Sequence, residues 1–125
     1  MDAKDFVKEL NEAQELMKNE RYSEALIVLN KLKEADQAGE FDYNLTHKLY
    51  QLISNSRSFY NQQRILSVLK KISQDQKAIS FLDLKVFLKE QEKFEIDEQI
   101  LRREIEILIL RSLLKAKLVG NDLIF

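Results

Sequence analysis

The sequence contains no cysteine and no proline, and its only glycines are Gly39 and Gly120. Without cysteine, the chain can form neither a disulfide nor a thiolate metal site. A fold built mainly of strands needs many tight turns, and those turns usually require glycine, proline or Asn-Gly pairs. The shortage of such residues therefore favours a mostly α fold.

Long apolar runs and an apolar leader are also missing from the sequence. Its apolar runs are too short for a transmembrane helix. The first residues, Met1 to Asp5, are polar and acidic where a signal peptide would be apolar. We therefore expect the protein in the cytosol or the nucleus, and the absence of cysteine is compatible with either location.

The residues that are abundant also favour helices. Apolar residues make up 45% of the 125 positions and charged residues 33%, which is ordinary for a soluble globular protein. Alanine, leucine, glutamate, lysine and glutamine dominate, and these residues lose least on entering a helix. A chain of this length is expected to form one domain with a buried core.

The net charge is only −1, but the charge is unevenly distributed. Residues 1–42 hold six basic and eleven acidic residues, whereas residues 43–77 hold six basic residues and a single acid, Asp75. Complementarity within the chain is the simplest explanation of two such neighbouring segments. The alternative is an external acidic or nucleic-acid partner for the basic segment.

Apolar periodicity predicts four helices in residues 1–77. The first runs from about Asp2 to Asn19, and Ser23 is a candidate N-cap for the second, from Glu24 to about Ala35. The third runs from Asn44 or Thr46 to about Ser54 and the fourth from about Phe59 to Gln74, with a break at residues 55–58. Four amphipathic helices with short links are expected to form a bundle of antiparallel hairpins.

The first predicted hairpin resembles the middle of a tetratricopeptide repeat. The resemblance lies in the stretch from Asn19 to Leu26, with small residues at Ala13 and Ala25 where that family lets its paired helices approach. No second copy follows at the repeat spacing, so one hairpin is expected and not an array. A helical hairpin outside any repeat family explains the pattern nearly as well.

The last third of the sequence has the chain order of a winged helix. Ser80 caps a helix that ends near Glu90, and Asp97 caps the longest helix, which ends near Lys117. The last eight residues, Leu118–Phe125, predict a strand, a turn and an apolar end. We therefore expect a mostly α fold with a helical bundle over residues 1–77 and a small winged-helix-like unit over residues 78–125, together one compact domain.

This C-terminal part resembles the PCI domain, the helical-plus-winged-helix module shared by the proteasome lid, the COP9 signalosome and the large translation-initiation factor. Lys77–Leu84 is similar to the family's entry to its winged helix, Arg103–Leu110 to its next helix, and Lys117–Asp122 to its wing. The resemblance covers roughly Ile65 to Phe125 and is closest to the signalosome and initiation-factor members.

The resemblance implies a scaffold or assembly subunit whose partners are other protein subunits, in particular ones that contain PCI domains. The helical hairpins would contact one neighbour. The winged-helix end would pair with a like module of another subunit, whose sheet the strand edge near the C-terminus can extend through backbone hydrogen bonds. The candidate partner-binding residues are Leu118, Val119, Leu123, Ile124 and Phe125.

Nucleic-acid binding is the alternative function, since cations can hold phosphates while nearby aromatic rings stack on bases. Its candidate residues in the basic segment are Arg64, Lys70, Lys71 and Lys77. A helical bundle of the kind that opens some transcription-elongation factors is a third possibility for residues 1–77.

The sequence carries no recognisable catalytic constellation. The only histidine, His47, has no metal-ligand spacing around it, and the two glycines are too far apart to form a phosphate-binding loop. We therefore expect a protein that is not an enzyme and uses no cofactor or metal.

The predicted helix from Asp97 to Lys117 is apolar most of the way round, from Ile100 to Ala116. Such a helix must be buried on most of its sides. Either it is a central core helix, or a partner chain covers part of its surface.

Overall fold

The computed structural model describes residues 1–39 and 41–125, and this part of the chain is mostly helical with a small antiparallel sheet near the C-terminus. The mostly α prediction is therefore confirmed. The elements, in chain order, are α1 (Ala3–Lys18), α2 (Tyr22–Ala38), α3 (Tyr43–Asp75), β1 (Ala78–Ser80), α4 (Phe81–Glu92), α5 (Glu98–Leu110), β2 (Lys117–Val119) and β3 (Asp122–Ile124). None of the described helices combines the length and the apolar character that crossing a membrane requires.

The first unit of the chain covers residues 1–60. Asp2 caps α1 by accepting a hydrogen bond from the backbone N–H of Asp5, and α1 and α2 pack side by side as the predicted hairpin. The core is built from the apolar faces of α1, α2 and the first half of α3. Its buried residues are Phe6, Leu10, Ala13, Leu29, Leu32, Leu49, Leu52 and Ile53.

The start of α2 differs from the prediction. Ser23 lies inside the helix, and Arg21 takes the N-cap position without a side-chain hydrogen bond to the backbone. The helix begins earlier because α1 ends in a tight motif at Glu20, whose φ of 60° is left-handed. In that motif the N–H groups of Glu20 and Arg21 donate to carbonyls of the last turn of α1, so the chain reverses within three residues.

The predicted break at residues 55–58 is wrong, and one continuous helix, α3, replaces the predicted third and fourth helices. Serine and asparagine are only moderately poor helix formers, so they do not end a helix where packing favours it. Ser56 is fully buried on the face that also carries Leu52 and Ile53, and its small side chain fits that packed face. Residues 1–77 therefore contain three described helices instead of four.

The second unit covers residues 61–125, so the contacts divide the chain after Tyr60 and not at residue 77, where the sequence analysis placed the division. The difference arises because the last half of α3 contributes to the core of the second unit. That core consists of Ile65, Val68, Leu69, Ile72, Ile79, Phe81, Leu84, Leu88, Ile96, Leu101, Ile105, Leu108 and Leu123.

The small sheet has the strand order β1-β3-β2, and both pairings are antiparallel. The sequence pattern predicts strand residues only in the C-terminal segment, so β1 was not predicted. Three residues are too few to show an alternating pattern, and the last of them, Ser80, also caps α4 by accepting a hydrogen bond from the N–H of Asp83.

The helix α5 starts as predicted but ends seven residues before the predicted end at Lys117. Asp97 accepts hydrogen bonds from the N–H groups of Gln99 and Ile100, which caps the N-terminus. At the other end Ser112 adopts a left-handed φ of 59°, and the N–H groups of Ser112 and Leu113 donate to Ile109 and Leu108. This is the Schellman motif. It has serine in place of the usual glycine, so this helix end could not be predicted from the sequence.

One carboxylate, that of Glu104, lies fully buried beside the core of the second unit. It accepts a hydrogen bond from the side-chain amide of Gln62 at 2.8 Å and another from Arg103 at 3.2 Å. Arg111 donates to the amide oxygen of the same Gln62. The network joins α5 to the last half of α3 and satisfies a charge whose burial would otherwise be costly.

Candidate interaction site at the edge of the C-terminal sheet

The sheet has one face toward the core and one face toward solvent. Ile79 and Leu123 are buried and Leu118 is half-buried, and these residues pair across the three strands on the inner face. Because side chains alternate along a strand, the residues on either side of them point outward. Val119 and Ile124 are therefore exposed on the outer face.

The strand β2 forms one edge of the sheet, and its middle residue presents its backbone outward. The N–H of Phe81 donates to the carbonyl of Asn121, and the N–H of Phe125 donates to that of Lys77. In an antiparallel sheet, successive residues of a strand direct their N–H and C=O groups alternately to one neighbouring strand and to the other. Leu123, like Asn121 and Phe125, therefore directs its N–H and C=O toward β1. Leu118 on β2 pairs with Leu123 and receives no hydrogen bond from it, so Leu118 directs its own N–H and C=O away from β3, toward the open edge.

The turn between β2 and β3 is held in place by contacts from α5. Gly120, with a φ of 61°, occupies the first of two central turn positions, where a type II′ hairpin favours glycine. The guanidinium of Arg102 donates to the carbonyl of Gly120 at 2.7 Å and lies 4.6 Å from the ring centroid of Phe81. These contacts stabilise the β2–β3 hairpin and thereby fix the position of the free edge.

An apolar groove of about 540 Å³ lies between the end of α5 and β2. Its lining residues are Glu106, Ile109, Leu110, Ala116, Lys117, Leu118 and Val119. Two of the apolar lining residues are well exposed, Leu110 at 83% and Val119, on the outer face of the sheet, at 55%. The groove therefore combines an unpaired strand edge with uncovered apolar surface.

The early end of α5 creates this groove. Leu110 is the last residue of the helix, and the chain turns away at Ser112 before returning as β2. A helix that continued to Lys117 would have included residues 111–116 and the first residue of β2, so the groove between α5 and β2 could not have formed. Two opposite charges, Glu106 and Lys117, line the groove, and both side chains are exposed.

The structure separates the five predicted partner-binding residues. Leu118 and Val119 line the groove, and Ile124 is exposed on the outer face of the sheet. Leu123 is fully buried in the core and cannot be offered to a partner in this fold, and Phe125 packs partly against the same core. Of the two predicted strand residues and the apolar end, the unpaired edge is on β2, while Leu123 and Phe125 contribute to the packing of the second unit.

The four predicted nucleic-acid-binding residues do not form one free basic surface. Arg64 donates to the backbone carbonyl of Glu92 and lies over the ring of Phe94, and Lys71 forms an ion pair with Glu92 at 3.7 Å. Lys70 is exposed, and its direction from the helix axis differs by about 100° from that of Lys71. Lys77 is exposed beyond the end of α3.

Glu106 and Lys117, the charged residues of the groove, were not predicted as site residues from the sequence. The sequence feature that pointed toward this surface was the apolar character of α5 on most of its sides. It left open whether a partner chain covers part of that helix. The residues of α5 differ in their exposure within the chain itself. Leu101, Ile105 and Leu108 are buried in the core, whereas Leu110 is uncovered.

The remaining chemistry of the described residues is sparse. His47 is exposed on α3 and stacks on Tyr43, with 6.1 Å between the ring centroids. In residues 1–39 and 41–125, no three side chains of histidine, aspartate or glutamate lie close enough to hold a metal ion.

Comparisons of this chain with known protein families, curated proteins and solved structures found no match.

Proposed function

We propose that this chain is a non-catalytic scaffold or assembly subunit of PCI type, which binds other protein subunits through the open β2 edge and the adjacent groove. The observation that carries the proposal is the outward-facing backbone of Leu118 beside the uncovered side chains of Leu110 and Val119. An open edge gives a partner strand its hydrogen bonds, and the apolar groove gives that strand buried area.

The order of elements supports the PCI part of the proposal. The last half of α3 is followed by β1, α4, α5, β2 and β3, and the sheet order is β1-β3-β2. We interpret this arrangement as a winged helix that follows a tetratricopeptide-like helical hairpin, as the sequence resemblance implies. In this interpretation α5 is the helix that a DNA-binding winged helix would place in the major groove.

The charges of α5 favour a protein partner over DNA. Two basic residues lie in the middle of the helix. Arg102 donates a hydrogen bond to the carbonyl of Gly120 in the β2–β3 turn, and Arg103 donates one to Glu104. Glu98 and Glu106 are exposed on the same helix and would repel phosphates. Nucleic-acid binding through Arg64, Lys70, Lys71 and Lys77 is the less supported proposal, because Arg64 and Lys71 are engaged within the chain.

The test is affinity purification from the native source, followed by mass spectrometry, with the wild-type chain and two variants. Leu110→Lys places a charge in the groove, whereas Leu82→Lys makes the same change at an apolar residue of α4 that is 66% exposed and outside the groove. Both sites are exposed, so both variants should keep the stability of the wild type within about 0.5 kcal/mol.

We expect the wild type and Leu82→Lys to recover PCI-containing subunits and Leu110→Lys to lose them. Recovery of such subunits by all three proteins would contradict the groove as the binding site. Recovery of nucleic acid in place of protein subunits would reverse the order of the two proposals.

A further inference from the structure

The middle of α3 contributes no residue to either apolar core in the part of the chain that the structure describes. The last α3 residue in the core of the first unit is Ile53, and the first in the core of the second unit is Ile65. Between them, Phe59 is half-buried and stacks on Tyr22, with 5.3 Å between the ring centroids. Residues 54–58, which we call the serine segment, carry no apolar side chain, so they lack the packing that supplies most helical stability in proteins.

The composition of the serine segment also disfavours a helix. Four of its five residues are serine or asparagine, and the fifth is Arg57. Serine and asparagine side chains can bond to nearby backbone groups in non-helical conformations, so they compete with the hydrogen bonds of the helix. The segment is nevertheless helical in the structure. Its helical state is therefore less strongly favoured than that of the two parts of α3 that carry core residues.

The side chain of Ser56 adds a cost to the helical state. Ser56 is fully buried, and its hydroxyl has no hydrogen-bond partner among the described residues. A buried hydroxyl without a partner destabilises the conformation that buries it. Local opening of the helix relieves this cost, because the hydroxyl then reaches solvent.

We infer that α3 contains a conformational hinge at residues 54–58, where the helix opens locally into a minor conformer with one helix before the segment and one after it. Opening breaks the backbone hydrogen bonds from the N–H groups of residues 58–62 to the carbonyls of residues 54–58. Both cores keep their residues, since none of them lies in the segment. The helix break that the composition indicates is then the structure of the minor conformer. This inference is independent of the proposed function, because it uses no residue of the β2 edge or the groove.

The experiment is amide hydrogen exchange of the full chain, measured by nuclear magnetic resonance and corrected for the intrinsic rate of each residue. Amides that a local opening releases exchange faster than amides that need global unfolding. We expect residues 58–62 to exchange at least about tenfold faster than residues 50–53 and 68–72 of the same helix. Residues 58–61 are half-buried and Gln62 is buried, so exposure in the closed helix does not account for such a difference.

Three serine-to-alanine variants identify the cause of the opening. Ser56→Ala removes the buried hydroxyl and should slow exchange of residues 58–62 at least about fivefold. Ser54→Ala changes an exposed residue of the same segment and should slow it about twofold, through helix propensity alone. Ser67→Ala is the matched control, because it makes the same change at an exposed residue of α3 outside the segment, and it should leave these amides unchanged.

Uniform protection from residue 50 to residue 72 of the wild type would overturn the inference. It would also be overturned if Ser56→Ala slowed the amides of Leu10 and Ala13 in α1 as much as those of residues 58–62, because the serine would then affect global unfolding and not a local opening. An equal effect of Ser67→Ala and Ser56→Ala on residues 58–62 would likewise contradict a hinge at this segment.

Discussion

Two leucines of α5 lie two residues apart and have opposite surroundings. Leu108 is 1% exposed and belongs to the core of the second unit, whereas Leu110 is 83% exposed beside the groove. Replacing a buried leucine by alanine removes its transfer free energy and leaves a cavity, which together cost about 2–5 kcal/mol. The same change at an exposed leucine is expected to alter stability by at most about 0.5 kcal/mol.

The assay is urea unfolding followed by circular dichroism at the helical band, with the wild type, Leu108→Ala and Leu110→Ala. We expect Leu108→Ala to lower the free energy of unfolding by at least about 2 kcal/mol and Leu110→Ala to leave it nearly unchanged. Equal losses in the two variants would refute the orientation of α5. A large loss in Leu110→Ala alone would mean that this side chain is part of the monomer's core.

Three further perturbations test other parts of the structure. Glu104→Ala should lower the free energy of unfolding in urea by about 2–4 kcal/mol, because it removes the acceptor of a buried hydrogen-bond network. Glu104→Gln should lower it less, because glutamine keeps the volume of the side chain. Equal losses in the two variants would contradict the role of the carboxylate. Ser112→Gly should raise the free energy of unfolding by about 0.5–1 kcal/mol because it relieves a left-handed serine, and a loss of stability would contradict that conformation. In fluorescence anisotropy at physiological salt, nucleic-acid affinity should be weak, and submicromolar binding that Lys70→Glu with Lys71→Glu abolishes would favour the nucleic-acid proposal.

The helical content and the α4 and α5 N-termini could be predicted from the sequence because they depend on local chemistry. Apolar periodicity marks the buried faces, and Ser80 and Asp97 cap the two helices as predicted. The β2–β3 hairpin was recognisable in part because Gly120 supplies the positive φ that its turn needs.

The errors lie where packing or an unusual backbone overrides these local signals. Residues 55–58 resemble a break in composition, but α3 continues through them, because serine and asparagine do not break a helix as proline does. Glu20 and Ser112 end their helices in left-handed conformations that glycine would normally mark. Because the end of α5 was predicted too late, the sequence indicated an apolar surplus on this helix without locating the groove beside it.

Exchange of the Leu118 backbone amide, measured by nuclear magnetic resonance, tests the proposed edge most directly. In the dilute chain this N–H points to the open edge, so it should exchange rapidly, whereas the N–H of Val119 is bonded to β3 and should exchange more slowly. In the complex with a partner recovered by affinity purification, we predict that exchange at Leu118 slows at least about tenfold. Rapid exchange at Leu118 in a fully bound chain would contradict the claim that partners bind by extending the sheet at β2.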